Sequence, residues 1–423
     1  MTAIVGILNK HGIAVAADSA ETIGNGLKIY NKANKIFNLS KYHPIGAAVY
    51  GNANFGDLVP WDIVFKLYRK SLCKTCFDKV EDYVYDFVSF IEKNSFFSDV
   101  KEFQERFNNN VFEYFEKYIL LNRIGHNTPN VDFSLLPNMI SLINKELDST
   151  EDIESLKGLS KTEFEVYIQN AINRIKGVLK ANGCLSVEND LKEVLYKSFT
   201  KKEIMHAYSG ISIFGYGDKE IYPRLFKIKI YGVVCGKLKW YIEEACKINN
   251  KNTGIICPMA QSDVMVTLLS GIEPKLQQLI VQLTSQVIKE NIKQMASIVG
   301  TTNKTLAKDI LAIDIQPTLN LFNTKLNGMI QNNHVAPLIN TIAILQKEDL
   351  AEVAENLVYL TSLIRRITPD QESVGGPIDV ALLSKGDGFI WIKRKHYFEE
   401  TLNKNYFGKY YIDADSGKEA NNE

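Results

Sequence analysis

A chain of 423 residues with 45% hydrophobic and 23% charged side chains has apolar material for a sizeable core, in one enlarged domain or two. Its 49 basic residues balance 49 acidic ones, so bulk charge gives no argument for nucleic acid or an anionic membrane. No apolar run approaches the ~20 residues that span a bilayer. Lys10, His11 and Asp18 interrupt the N-terminal apolar stretch too early for a signal peptide, so the expected compartment is the cytoplasm.

From the N-terminus, residues 3–8 (AIVGIL) and 13–17 (IAVAA) are short apolar runs joined by Asn9-Lys10-His11-Gly12, a hairpin pattern. Their near-continuous apolarity predicts strands covered on both faces. Strand-like runs follow at Lys35-Ile36-Phe37-Asn38-Leu39 and Ile45-Gly46-Ala47-Ala48-Val49, then a helical one from Trp61 to Tyr68.

Residues 72–205 are predicted mostly helical, with Val80, Val84, Phe87, Val88 and Ile91 on one face. Ser160-Lys161-Thr162-Glu163 is a capping box, and Phe164, Ile168, Ile172, Ile175 and Leu179 form the stripe behind it. Strand patterns return at 211–218, 225–231 and 238–242, and a second helical block is expected over about 262–366, with Leu276, Leu279, Leu283 and Val287 behind Pro274. Ile378 to Leu383 and Phe389 to Ile392, around Gly386-Asp387-Gly388, form a terminal hairpin. Strands, helices, strands, helices, strands, without regular βα alternation, predict an α+β fold in which two stacked sheets carry helices outside.

The six cysteines suit a reducing compartment. Cys184, Cys235, Cys246 and Cys257 are expected as small core residues, and Cys73 and Cys76 as a C-K-T-C within a helical run. No second Cys or His pair stands at zinc spacing, and the six histidines form no close cluster, so neither a metal nor a cofactor is expected. Gly215-Tyr216-Gly217 lacks the lysine and spacing of a phosphate loop.

Four features, none informative alone, fall in a telling order. They are Thr2 before the first strand, Asp18 ending the second, Lys35 before Ile36-Phe37, and Asp370-Gln371-Glu372-Ser373 ahead of Gly375-Gly376 and the last hairpin. This arrangement resembles the N-terminal-nucleophile hydrolases, and more closely the β-type subunits of proteasomes and the bacterial two-component ATP-dependent protease core. The resemblance covers about half of the chain, namely the first ~60 residues, parts of 208–270, and 347–392. It implies a four-layer αββα sandwich formed by 1–71 and 206–400. The helical insertions at 72–205 and 275–345 and a tail at 401–423 have no counterpart in it.

The resemblance further implies a threonine peptidase in a homo-oligomeric ring, acting on polypeptides with an ATP-dependent unfoldase as partner. Thr2 would be the nucleophile after loss of Met1, a trimming that a small second residue permits. The Thr2 α-amine, with a reference pKa near ~7.7–8, would be the base. Lys35 would lower that pKa, with Lys32 the alternative, and Asp18 would hold the lysine. Asp370 and Ser373 would orient the N-terminus, and the segment of Ala47-Ala48 and Gly51 would supply the oxyanion-binding amide, through the backbone N–H near Ala48. Ser262 is either a further family serine or an ordinary helix N-cap. A non-catalytic scaffold on the same fold and a small-molecule amidase are the alternatives.

Overall fold

The computed structural model describes residues 2–23, 28–56, 58–94, 100–124, 132–202, 208–260, 262–368, 374–396 and 398–404. The chain opens with β1 (Ile4–Asn9) and β2 (Ile13–Ala17), antiparallel, with Val5 opposite Ala16 and Leu8 opposite Ile13. Every residue of both strands is buried, so neither face of the hairpin meets water, as its unbroken apolar runs require. Then come β3 (Glu21–Ile23), β4 (Lys28–Tyr30), β5 (Ile36–Asn38), β6 (Ile45–Gly51), β7 (Asn54–Phe55) and β8 (Val59–Pro60).

Helices follow: α1 (Trp61–Leu72), α2 (Val80–Lys93) and α3 (Val100–Glu113), the last widening into π turns through Ile124. α4 (Leu136–Asp148), α5 (Lys161–Tyr167), α6 (Gln169–Ala181) and α7 (Glu188–Thr200) complete this block. The capping box is formed at the start of α5. The Ser160 hydroxyl accepts from the Glu163 N–H at 3.2 Å, and the Glu163 carboxylate accepts from the Ser160 N–H at 2.9 Å.

The chain returns to strands with β9 (Ser209–Gly215), β10 (Arg224–Val234), β11 (Lys237–Lys247) and β12 (Gly254–Ala260). A second helical run holds α8 (Ser262–Ser270), α9 (Pro274–Gly300), α10 (Lys304–Leu311), α11 (Gln316–Ile330), α12 (Ala336–Ile342) and α13 (Lys347–Ile367). The hairpin β13 (Asp379–Ser384) and β14 (Gly388–Lys393) follows. Among the described residues, no helix is long and apolar enough to cross a membrane.

The fold is α+β, with antiparallel sheets. One five-stranded sheet has the order β12-β1-β2-β13-β14 and another the order β11-β10-β9-β6-β5. Ile4, Leu8 and Val15 of the first share a core with Ala48, Phe214 and Leu225 of the second. On its other side, the first sheet packs Val5, Ala14 and Ala16 against Leu350, Ala354 and Val358 of α13. The second packs Ala47, Ile213 and Phe226 against Trp61 and Phe65 of α1 and Tyr83 and Phe87 of α2. Each large side chain so buried contributes roughly 1.5–3 kcal/mol. Phe115, Ile140, Phe164, Ile172 and Leu195 belong to a further core within the α3–α7 block.

Three local expectations differ. β12 escapes the sequence pattern because Pro258 interrupts it. As the sheet's edge, the strand tolerates a residue without an N–H, and the register slips beside it, from Ile4 opposite Ala260 to Val5 opposite Pro258. Cys73 and Cys76 are exposed beyond the end of α1 rather than inside a helix. Cys235 is half-buried in the β10–β11 turn with φ of 51°, while Cys246 and Cys257 are the cysteines that are fully buried.

Candidate functional site

Asp18 stands immediately after β2, and the β1–β2 pairing sets it against the chain start. Its N–H donates to the Ala3 carbonyl at 3.1 Å, and the Ala3 N–H donates to Asp18 Oδ1 at 2.9 Å. Thr2 is thus held one residue from a carboxylate that is itself 1% exposed. Lys35, just ahead of β5, reaches the same oxygen with Nζ at 2.6 Å and donates to the Ala20 carbonyl at 2.5 Å. The other oxygen, Oδ2, accepts from the N–H groups of Ala20 at 3.2 Å and Gly375 at 3.1 Å. One carboxylate therefore takes four hydrogen bonds, three from distant segments and one from Ala20 two residues on, the complement that makes a buried anion tolerable.

Lys35 is 4% exposed. Burial pulls its pKa below the ordinary lysine value, and the charge and hydrogen bond of Asp18 oppose that pull without cancelling it. Of the three ammonium donors, two have acceptors among the described residues. Lys35 lines, together with Thr2, Glu21, Tyr50 and Gly51, an open cleft of about 330 Å³. A cation and a hydroxyl-bearing residue thus border one cleft with a fixed carboxylate behind them. Lys32, the alternative cation, lies in a neighbouring hollow beside Tyr30 and His396.

Ladder parity decides which backbone amides face the cleft. Successive strand N–H groups point to opposite sides. Val49 donates to the Lys35 carbonyl at 2.9 Å, on the β5 side. The Ala48 N–H therefore turns toward Ser212, its β9 neighbour, and Ala48 is fully buried and outside the cleft lining. Gly51 shares the parity of Val49, at a level where β5 has not yet begun, and it lines the cleft. Its φ of +76° and an ideal Cβ position only 2.6 Å from the Tyr208 carbonyl oxygen explain the glycine there.

Asp370 and Ser373 lie outside the described residues. The segment that carries them runs from the end of α13 to Gly375, whose amide is on Asp18 and whose carbonyl accepts from the Ser19 N–H at 3.1 Å. Ser262 is the first residue of α8, and its neighbour Asp263 is paired with Arg365 of α13. The Gly375 amide, the Ala20 carbonyl and the parity of Gly51 are absent from the sequence pattern, in which Gly375-Gly376 stands only as part of the resemblance. Among the described residues, Glu244, Cys246 and Cys257 form the only group with three metal-ligand atoms within 4.8 Å, but Glu244 is already paired with Lys227 at 2.5 Å.

No known protein-family model matches the chain, and no curated protein matches it. Among solved structures it is similar to the Anbu (Gly-1) mutant from Hyphomicrobium sp. strain MC1, at 9% identity over 100% of both chains with a TM-score of 0.25. A superposition at that level carries no weight for the site, which stands on its own geometry.

Proposed function

We propose that the chain is an N-terminal-nucleophile amide hydrolase, a threonine-type peptidase built on a four-layer αββα sandwich of the proteasome β type. The observation that carries the proposal is the buried Asp18–Lys35 pair, anchored on the Ala3 amide, beside the cleft that Thr2 enters. It requires the mature chain to begin at Thr2, through removal of Met1 or of any longer leader.

In this mechanism the free α-amine of Thr2 accepts the proton of its own hydroxyl, and Oγ1 attacks an amide carbonyl. The Lys35 ammonium lowers the amine's pKa and opposes the developing negative charge. The Gly51 N–H, favoured over that of Ala48 by parity, donates to the tetrahedral oxyanion, a contact of roughly 3–4 kcal/mol in other enzymes. The amine returns its proton to the leaving nitrogen, leaving an ester on Thr2 that water hydrolyses to the free acid. Asp370 and Ser373 are proposed to orient the N-terminus, with Ser262 at its flank. Polypeptides are the proposed substrates, delivered by an unfoldase. A homo-oligomer is proposed as well, supported by the half-exposed stripe Leu276, Leu279, Leu283 and Val287 along α9.

The test combines intact mass with activity. The purified protein is expected to begin at Thr2 and to hydrolyse unfolded protein or acyl-peptide amides, and Thr2→Ala is expected to abolish turnover without altering the melting temperature. Undiminished hydrolysis by Thr2→Ala removes Thr2 from the nucleophile's role. A chain that keeps residues ahead of Thr2 and hydrolyses nothing leaves the scaffold alternative.

A further inference from the structure

A cavity of about 400 Å³ lies between the β10–β11 ribbon and the helices α3 and α7. Lys239 of β11 lines it and is only 2% exposed. Its Nζ stands 4.6 Å from the Tyr231 ring centroid and 5.7 Å from that of Phe199, and both rings line the same cavity. Among the described residues the amine meets these aromatic faces and no carboxylate or hydrogen-bond acceptor. The contrast with Lys35 is direct: there burial is answered by Asp18, and here nothing answers it.

The backbone aims this side chain. Pairing passes from Ile230 opposite Trp240 to Gly232 opposite Lys239, leaving Tyr231 as the extra residue of a bulge. Gly232 takes φ of +127°, which a side chain would strain. A bulge redirects neighbouring side chains, and this one puts the Tyr231 ring over the lysine. Burial alone brings the Lys239 ammonium down to about 7, so near neutrality much of it is the uncharged amine, held in an aromatic enclosure. The faces of Tyr231 and Phe199 beside a lysine nitrogen that meets no acceptor match a ligand with an apolar body and one negative charge. Inorganic phosphate would require several converging donors. At the rim, Lys117 is already paired with Glu113.

We propose that this cavity is a binding site for a small organic carboxylate, with Lys239 as its charge partner and the Tyr231 and Phe199 rings against its apolar body. The ligand supplies the counter-ion that the fold omits, and the lysine takes up a proton as it binds. The other titratable groups facing the cavity are Arg106 and Glu113 of α3, Tyr114, Lys117 and Tyr118 beyond it, and Tyr231. The cavity shares Asn52 and Asn54 with the cleft of Thr2, but neither Thr2 nor Lys35 lines it.

The test is calorimetric titration of the full chain at pH 8 in HEPES and in Tris. The ligands are benzoate, 3-phenylpropionate and hexanoate, each beside its primary amide. At least one acid is expected to bind with Kd below about 1 mM and its amide roughly tenfold weaker or more. Because pH 8 lies about one unit above the free-state value, uptake of close to one proton per ligand is expected. In Lys239→Met both the preference for acid over amide and the proton uptake should disappear. The wild-type comparison stands even if that variant does not fold. Equal binding of acid and amide, no binding of any of the three acids, or binding without proton uptake overturns the proposal.

Discussion

The Gly375 N–H donates to Asp18 Oδ2 at 3.1 Å across a chain separation of 357 residues. Through its other oxygen Asp18 holds the Ala3 amide and Lys35, so the chain start, the approach to β5 and the approach to β13 meet on one carboxylate. Closing so long a loop costs little more entropy than closing a moderate one, because the cost grows only with the logarithm of length. The geometry at Asp18 is therefore set by local hydrogen bonding and not by the distance along the chain.

Asp18→Asn is expected to destabilise the fold by roughly 3–5 kcal/mol, because it leaves a buried ammonium without its anion and gives a donor to sites that require acceptors. The double variant Asp18→Asn, Lys35→Met should recover about half of that loss or more, since it removes the orphaned charge. Urea denaturation of the wild type, both single variants and the double variant measures this. Strict additivity of the two single effects would refute the coupling.

Gly51→Ala and Gly158→Ala separate backbone strain from steric contact. Both glycines have positive φ, +76° and +80°, but a Cβ at Gly51 meets the Tyr208 carbonyl oxygen at 2.6 Å whereas one at Gly158 meets nothing within 4 Å. Gly158→Ala is expected to cost about 1 kcal/mol and Gly51→Ala roughly 2–3 kcal/mol. Thermal unfolding of the two variants side by side gives the difference.

Lys239 makes stability depend on pH with a definite sign. Its folded-state pKa, about 7, lies below the ordinary lysine value of 10.5, so between these pH values the unfolded chain binds the extra proton and stability rises with pH. The gain from this group is about 1.4 kcal/mol per pH unit in that window and ends above the unfolded value. Wild type minus Lys239→Met is therefore expected to shift by roughly 2–3 kcal/mol in favour of the wild type from pH 7 to 9. A flat difference across that range would place the amine in water.

The cysteines should label in the order of their exposure. Cys73 and Cys76 are exposed and are expected to react with iodoacetamide in the native state. Cys257 should resist, because its contact with Cys246 at 3.1 Å and its burial hold the thiol well above its usual range. Burial also pushes the Cys235 thiol up, to about 11, so this half-buried residue should react slowly. Mass mapping of native and urea-unfolded protein reads the order.

Elements whose identity depends on near neighbours were legible in the amino-acid order. The two opening strands declare themselves through runs of apolar residues, because a strand covered on both faces tolerates no polar alternation. α9 follows from Pro274 and the spacing of Leu276, Leu279 and Leu283, and the start of α5 from Ser160 and Glu163. The order Thr2, Asp18, Lys35 carried the resemblance to N-terminal-nucleophile hydrolases, although β3 and β4 stand between Asp18 and Lys35.

What distance in the chain conceals was settled by packing. β12 carries Pro258 and becomes a strand only because it occupies a sheet edge where no partner needs its N–H. Lys239 sits between Leu238 and Trp240 and reads as an ordinary outward-facing charge; the bulge at Tyr231 and the covering helices bury it without an anion. The amide that faces the cleft depends on the parity of the β6 ladder, which one hydrogen bond from Val49 to Lys35 sets. Periodicity encodes how much of a side chain is covered, a local quantity. The partner a buried charge finds, and the direction an amide points, depend on which segments converge, and only the tertiary structure decides that.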